Sequence, residues 1–243
     1  MMVRIALAAL LAMASLPASA GGLVEPRLHL RAVAASGPRV ALTLDACGGA
    51  TDGRVLSALI DNRIPATIFV TGIWLRRNRA ALDILRAHPD LFQIENHGGR
   101  HVPAIDVPMH VYGLRAAGTP GAVIAEVRAG AAGIVAAGIA EPRWFRGATA
   151  RYSASAVAEI RRLGVKVAGY SVNGDGGALL GAAAVERRIA AARDGDVILA
   201  HINQPGRAAG AGLVRGLIRL KASGVRFVRL KDADEDGSDG TTQ

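Results

Sequence analysis

The chain has 243 residues, a formal net charge of +9, 51% hydrophobic residues and only 4% aromatic residues. The excess of basic over acidic residues favours anionic partners such as envelope polymers. The shortage of aromatic side chains argues against a nucleic-acid-binding surface that relies on base stacking. Because Cys47 is the single cysteine, an intrachain disulfide is excluded and stability must come from packing.

The N-terminal segment has the pattern of a signal peptide. A basic residue, Arg4, precedes an apolar run from Ile5 to Leu16, and Ala18-Ser19-Ala20 has the form of a cleavage site. Residues 1–20 are therefore predicted to be removed on export to the periplasm or the medium. The run is too short for a stable membrane span, so no stable membrane insertion is expected after cleavage.

The rest of the chain alternates between short apolar β-type runs and helical patterns. Predicted strands cover residues 39–45, 66–70, 91–95, 143–146, 165–171, 196–200 and 225–229. Predicted helices cover residues 52–62, 76–88, 119–138, 153–163, 183–194 and 208–223. This order predicts an α/β fold with about seven parallel strands, either an open sheet or a closed barrel.

One catalytic domain is expected over residues 38–231, because the mature length suits a single α/β domain. Residues 21–37 form an N-terminal lead segment in this interpretation. Residues 232–243 contain several acidic residues and no Lys or Arg, so they are predicted to be a disordered tail.

Ionisable residues stand at the ends of five predicted strands. In a parallel sheet these ends meet at one edge, where α/β enzymes carry their chemistry. Each residue alone has a structural explanation, such as a turn for Asp175 or a core position for His201, but their coincidence predicts a site. The residues are Asp45, Glu95 with His97, Arg146, Asp175 and His201.

Two histidines four positions apart, His97 and His101, are candidates for metal ligands. A helical turn would bring both imidazoles onto one face, as zinc or a similar cation requires.

These blocks together resemble the polysaccharide deacetylase family, also called the NodB-homology domain or carbohydrate esterase family 4. Leu42-Thr43-Leu44-Asp45 is similar to the family's Thr-Phe-Asp-Asp motif, and Asn96-His97 to His101 to its Asn-His-x-x-x-His motif. Trp144-Phe145-Arg146, Tyr170 to Asp175, and Val197 to His201 resemble its three later blocks, in the same order.

The resemblance implies a distorted (β/α) barrel and an N-deacetylase in which metal-bound water attacks the acetamide carbonyl. Asp45 would be the base and His201 the acid. Arg146 would orient Asp45, and Asp175 would tune His201. His97 and His101 would bind a divalent metal, of which zinc is expected, and the partner would be an N-acetylated glycan.

One position departs from the family, because its second Asp, a metal ligand, corresponds to Ala46. Three residues could supply the missing ligand: Asp45 is preferred, Glu95 comes second as a strand neighbour of His97 on the same face, and Cys47 comes last. The departure also motivates a rival from another class, a catalytically silent glycan-binding domain on the same fold. A small-amide hydrolase remains a third reading, because fold does not fix substrate.

Overall fold

The computed structural model describes residues 22–33 and 37–238. Its centre is a parallel sheet of eight strands: β2 (Arg39–Ala46), β3 (Ala66–Val70), β4 (Phe92–Asn96), β7 (Trp144–Phe145), β8 (Lys166–Val167), β9 (Val172–Asn173), β10 (Val197–His201) and β11 (Arg226–Val228). Their order across the sheet is β8-β7-β4-β3-β2-β10-β9, with β11 paired to β2. Two small antiparallel pairs join β1 (Arg27–Leu30) to β12 (Glu235–Ser238) and β5 (His110–Val111) to β6 (Leu114–Arg115).

Within the described residues, seven α-helices connect and cover the strands. They are α1 (Gly53–Asp61), α2 (Gly72–Arg77), α3 (Arg79–Ala87), α4 (Pro120–Ala136), α5 (Ala154–Arg162), α6 (Ala182–Ala190) and α7 (Ala208–Ala222). Side chains of Asp52, Thr71 and Thr119 accept hydrogen bonds from first-turn amides, which satisfies donors that the helix leaves unpaired. No helix in the described ranges is long and apolar enough to cross a bilayer.

The predicted (β/α) barrel is confirmed as a curled, distorted barrel of parallel strands. The main difference lies at residues 165–171, where only Lys166–Val167 of the predicted strand forms β8, and β9 begins just after it at Val172. Between them the carbonyls of Ala168 and Gly169 accept hydrogen bonds from Arg146. A Cβ at Gly169 would lie 2.1 Å from the carbonyl oxygen of Pro26, so the chain passes too close to the N-terminal segment for a larger residue.

The prediction of a disordered acidic tail is wrong for residues 232–238. Glu235–Ser238 forms β12 against β1, the Glu235 carboxylate pairs with Lys166, and the amide of Arg31 donates to the carbonyl of Asp234. The acidic residues are ordered because the basic surface and the free edge of β1 provide partners. Residues 239–243, like the predicted signal peptide, lie outside the described residues.

Alternation along β2 separates two packing layers. Leu42, Leu44 and Ala46 pack in the apolar layer between the sheet and its helices. Ala41 packs inside the barrel with Phe69. Because successive strand side chains point to opposite faces, the same alternation directs Asp45 into the barrel.

Close packing between α4 and the segment after β4 yields a stability prediction. A Cβ at Gly130 would lie 2.0 Å from Oδ1 of Asn96 and 2.7 Å from the backbone carbon of Gly98. Gly130→Ala should therefore lower the free energy of unfolding by about 1–3 kcal/mol. For a domain of this size, thermal unfolding should shift down by about 2–4 °C per kcal/mol.

Gly133→Ala is the matched control on the same helix. Its Cβ would meet Leu75 Cδ1 at 3.6 Å and Gly72 Cα at 3.8 Å, both ordinary contacts, so the better helix propensity of alanine should leave stability unchanged or raised. Equal melting temperatures for the two variants would contradict the packing described here.

Candidate active site

Polar side chains from separate strands meet at the carboxyl edge of the barrel. Asp45 and His201 are register partners at the ends of the neighbouring strands β2 and β10. His97 follows β4, Arg146 follows β7 and Asp175 follows β9. The fold thus brings these five side chains to one rim.

Asp45 is fixed by a buried ion pair with Arg146. Nη1 of Arg146 donates to Oδ1 of Asp45 at 3.0 Å, and the guanidinium lies 4.4 Å over the ring of Phe69. Burial raises the pKa of Asp45, but the charges of Arg146, His97 and His201 outweigh it, so the pKa lies below its ordinary value. The other oxygen, Oδ2, lies 3.8 Å from Nε2 of His97. Asp45 is therefore a carboxylate with one oxygen held and one facing the histidines.

Asp175 orients His201 from the opposite side. Nδ1 of His201 lies 3.0 Å from Oδ1 of Asp175, and the His201 amide donates to Oδ2 at 2.7 Å. Burial lowers the pKa of His201, but hydrogen bonds to Asp175 and Cys47 raise it more, so it lies well above its ordinary value. Because Asp175 engages Nδ1, the nitrogen available for proton transfer is Nε2.

His97 and His101 approach each other through a loop rather than the helical turn that their spacing suggested. Their ring centroids are 5.0 Å apart. The chain after β4 turns out of the strand with positive φ at Gly98 (91°) and His101 (62°). A helix is impossible with these dihedrals, so the helical expectation was wrong although the two rings do meet.

Two buried polar residues hold this loop in place. Oε1 of Glu126 accepts the amides of Arg100 and Val102 at 2.8 and 3.1 Å, and Oδ1 of Asn96 accepts the amide of Gly98 at 2.8 Å. Glu126 was not singled out from the sequence. The signal that could have found it is a lone acidic residue among apolar positions on the buried face of α4.

Cys47 lies against both histidines. Its Sγ is 3.5 Å from Nε2 of His97, and donor atoms of Cys47, His97 and His101 all lie within 4.8 Å of one another. Among the described residues, no other group of three or more His, Cys, Asp or Glu side chains has its ligand atoms within this distance of one another. Burial raises the pKa of the Cys47 thiol, but hydrogen bonds to His101, His201 and His97 outweigh this effect. The pKa of the thiol therefore lies well below its ordinary value.

Glu95, the second alternative for the missing metal ligand, is engaged elsewhere. Its Oε2 accepts the amides of Arg143 and Trp144, both at 2.8 Å, and its Oε1 accepts Nε2 of Gln93 at 2.6 Å. The expectation that Glu95 and His97 share a strand face does not hold, because β4 ends at Asn96. Glu95 instead links β4 to the start of β7 through these hydrogen bonds.

Other large or polar side chains near the site divide between core and rim. Trp74 and Trp144 are buried in the two apolar layers. Tyr112 is 74% exposed on the β5-β6 hairpin. Asn203 is buried beside Gly49, and neither of its side-chain amide atoms has a partner within the described residues.

The solved structures that share this fold include three members of carbohydrate esterase family 4. A family 4 carbohydrate-esterase pseudoenzyme from Bacillus anthracis is 17% identical with a TM-score of 0.65, and the match covers 81% of this chain. The chain spans only 65% of that protein's length. A family 4 carbohydrate esterase from Bacillus subtilis is 22% identical with a TM-score of 0.63, covering 80% of each chain.

The third structure is a family 4 carbohydrate esterase from Streptomyces lividans in complex with acetate. It is 21% identical with a TM-score of 0.60, and the match covers 79% of this chain and 92% of the other. No curated protein matches the chain. The polysaccharide deacetylase family model matches residues 32–168, more than half of the sequence and the part that contains Asp45, Cys47, His97, His101 and Arg146. The chain therefore belongs to the polysaccharide deacetylase family.

Proposed function

We propose that the protein is an exported, metal-dependent hydrolase that removes N-acetyl groups from a cell-envelope or extracellular polysaccharide. One observation carries the proposal. Asp45 and His201 are each held by a buried partner of opposite charge, and both adjoin the cluster of Cys47, His97 and His101. A base, an acid and a set of metal donors thus share one rim.

The donor atoms of the cluster suit a divalent cation. One thiol sulfur and two imidazole nitrogens are an ordinary ligand set for zinc, with a further position open. A cation there would supply Lewis acidity, which polarises a carbonyl and makes water more acidic.

Asp45 is positioned to take a proton from the attacking water. Arg146 holds Oδ1 and keeps the carboxylate ionised, which leaves Oδ2 free to accept. Arg146 is itself fully buried and donates to the carbonyls of Ala168 and Gly169, so it cannot swing away. A base held in one orientation avoids the entropic cost of ordering it during the reaction.

His201 is positioned to protonate the leaving amine. Asp175 fixes the ring through Nδ1 and favours the protonated form. Nε2 then donates its proton to the sugar nitrogen as the C–N bond breaks, and acetate is released. Amide hydrolysis needs this second proton transfer because, without it, the nitrogen would leave as an amide anion, which is a very poor leaving group.

The glycan substrate and the export are supported by different features. The family acts on N-acetylated glycans, which supports this substrate class. The apolar N-terminal segment ending in Ala18-Ser19-Ala20 supports transfer to the periplasm or the medium.

A catalytically silent glycan binder is the second candidate, and Ala46 favours it. An alanine stands where the family's ligand is expected, and one structural relative is itself a pseudoenzyme.

Acetate release from N-acetylglucosamine oligomers and from peptidoglycan, after zinc loading, tests the proposal directly. Asp45→Asn should lower kcat by about 10²–10⁴-fold, because it removes general-base catalysis. Asp83→Asn, an exposed residue on α3, is the matched control and should leave kcat unchanged. Zinc-loaded protein that binds these glycans but releases no acetate would refute the enzyme and support the silent binder.

Asp175→Asn tests the positioning of His201. The amide keeps an acceptor but loses the charge that stabilises protonated His201, so kcat should fall by about 10²-fold or more while KM stays within about twofold. The melting temperature should fall only modestly, since the side chain keeps its volume and the amide oxygen can still accept the His201 backbone amide. Parallel losses in kcat and melting temperature would show that Asp175 is only structural.

A further inference from the structure

Cys47 has no part in the proton transfers proposed above, yet it lies at the centre of the site. It is the only cysteine of the chain, and its sulfur lies nearer to Nε2 of His97 than Oδ2 of Asp45 does, at 3.5 Å against 3.8 Å. Ala46, where the family carries a metal ligand, is fully buried and packs toward the helices.

The tautomer of His97 points to a ligand on this side. Nδ1 of His97 lies 2.6 Å from the carbonyl oxygen of Arg146, and since a carbonyl can only accept, Nδ1 carries the hydrogen. In the neutral ring the lone pair is then on Nε2, the atom that faces Cys47. A backbone carbonyl on the far nitrogen is the usual support of a metal-binding histidine.

The separations also match a metal centre. Bond lengths of about 2.3 Å to sulfur and about 2.0–2.1 Å to nitrogen place tetrahedral ligands about 3.6 Å apart. The Sγ–Nε2 distance is 3.5 Å, and the His101 donor completes a group within 4.8 Å. Asp45 has no place in this group, and its Oδ1 is bound by Arg146.

We propose that the Cys47 thiolate is the third protein ligand of the divalent cation, beside His97 and His101. This inference rests on the proposed function in placing a cation at this site. The thiolate supplies the single negative charge that a carboxylate would supply, so the charge of the centre is kept. A soft sulfur donor favours zinc or cobalt over magnesium or manganese, and Asp45 stays free to act as the base.

Cobalt substitution tests the ligand without relying on activity. The purified protein loaded with one equivalent of Co²⁺ should show thiolate-to-cobalt charge-transfer absorption in the near ultraviolet. Cys47→Ser should abolish that absorption and weaken zinc binding by more than about 100-fold, since loss of a ligand should cost at least as much as loss of a supporting partner. Asp83→Asn, the exposed control on α3, should retain both the absorption and the stoichiometry.

A second measurement needs no variant and so does not depend on how Cys47→Ser folds. Iodoacetamide alkylation of wild-type protein reports on Cys47 alone, because the chain has no other cysteine. Zinc should slow alkylation by at least about tenfold, since a bound thiolate is no longer a free nucleophile.

Either of two results would overturn the inference: bound cobalt without charge-transfer absorption, or alkylation at the same rate with and without zinc. The second would instead identify Cys47 as a free nucleophile. Charge-transfer absorption together with zinc protection but no acetate release would uphold the Cys47 ligand while refuting the deacetylase.

Discussion

The buried ion pair between Arg146 and Asp45 is the interaction on which the rest of the site depends. Arg146 is fully buried, and its guanidinium also binds the carbonyls of Ala168 and Gly169 and lies over Phe69. Removing one partner of such a pair typically costs about 3–5 kcal/mol. The pair therefore ties β2, the end of β7 and the β8-β9 connection together on the inner face of the curled sheet. The Arg146 carbonyl also accepts the His97 hydrogen bond, so one residue positions both the base and a metal donor.

In the proposed metal site, the departure at Ala46 changes the position of the ligand as well as its type. In β2, alternation sends Asp45 into the barrel and Ala46 into the apolar layer under the helices. The next residue, Cys47, lies beyond the strand, where its sulfur reaches the histidine pair. Its carbonyl accepts the hydroxyl of Thr71, and the amide of Thr71 donates to the carbonyl of Ala46, so the turn is anchored to the end of β3. The small apolar residue Ala46 and the sulfur donor of Cys47 thus belong to the same local change in the site.

The histidine loop shows how much buried structure supports a few donor atoms. Glu126 on α4 replaces backbone partners for two loop amides, while Asn96 binds both the Gly98 amide and the Val127 carbonyl. Gly130 leaves room for this contact. Because partners that orient metal ligands affect affinity nearly as much as the ligands, α4 belongs to the site as well as to the fold.

The sequence by itself determined the alternating order of strands and helices and the rim that carries Asp45, Arg146, Asp175 and His201, because hydrophobic periodicity and the polar residues that follow an apolar run are local patterns. It could not decide which neighbour of Ala46 meets the histidines. That depends on where β2 and β4 end, and strand ends are set by packing against other elements. Glu95 was misplaced for this reason, and Cys47 was ranked last. The ordered tail likewise required a distant partner, the edge of β1, which only the tertiary structure provides.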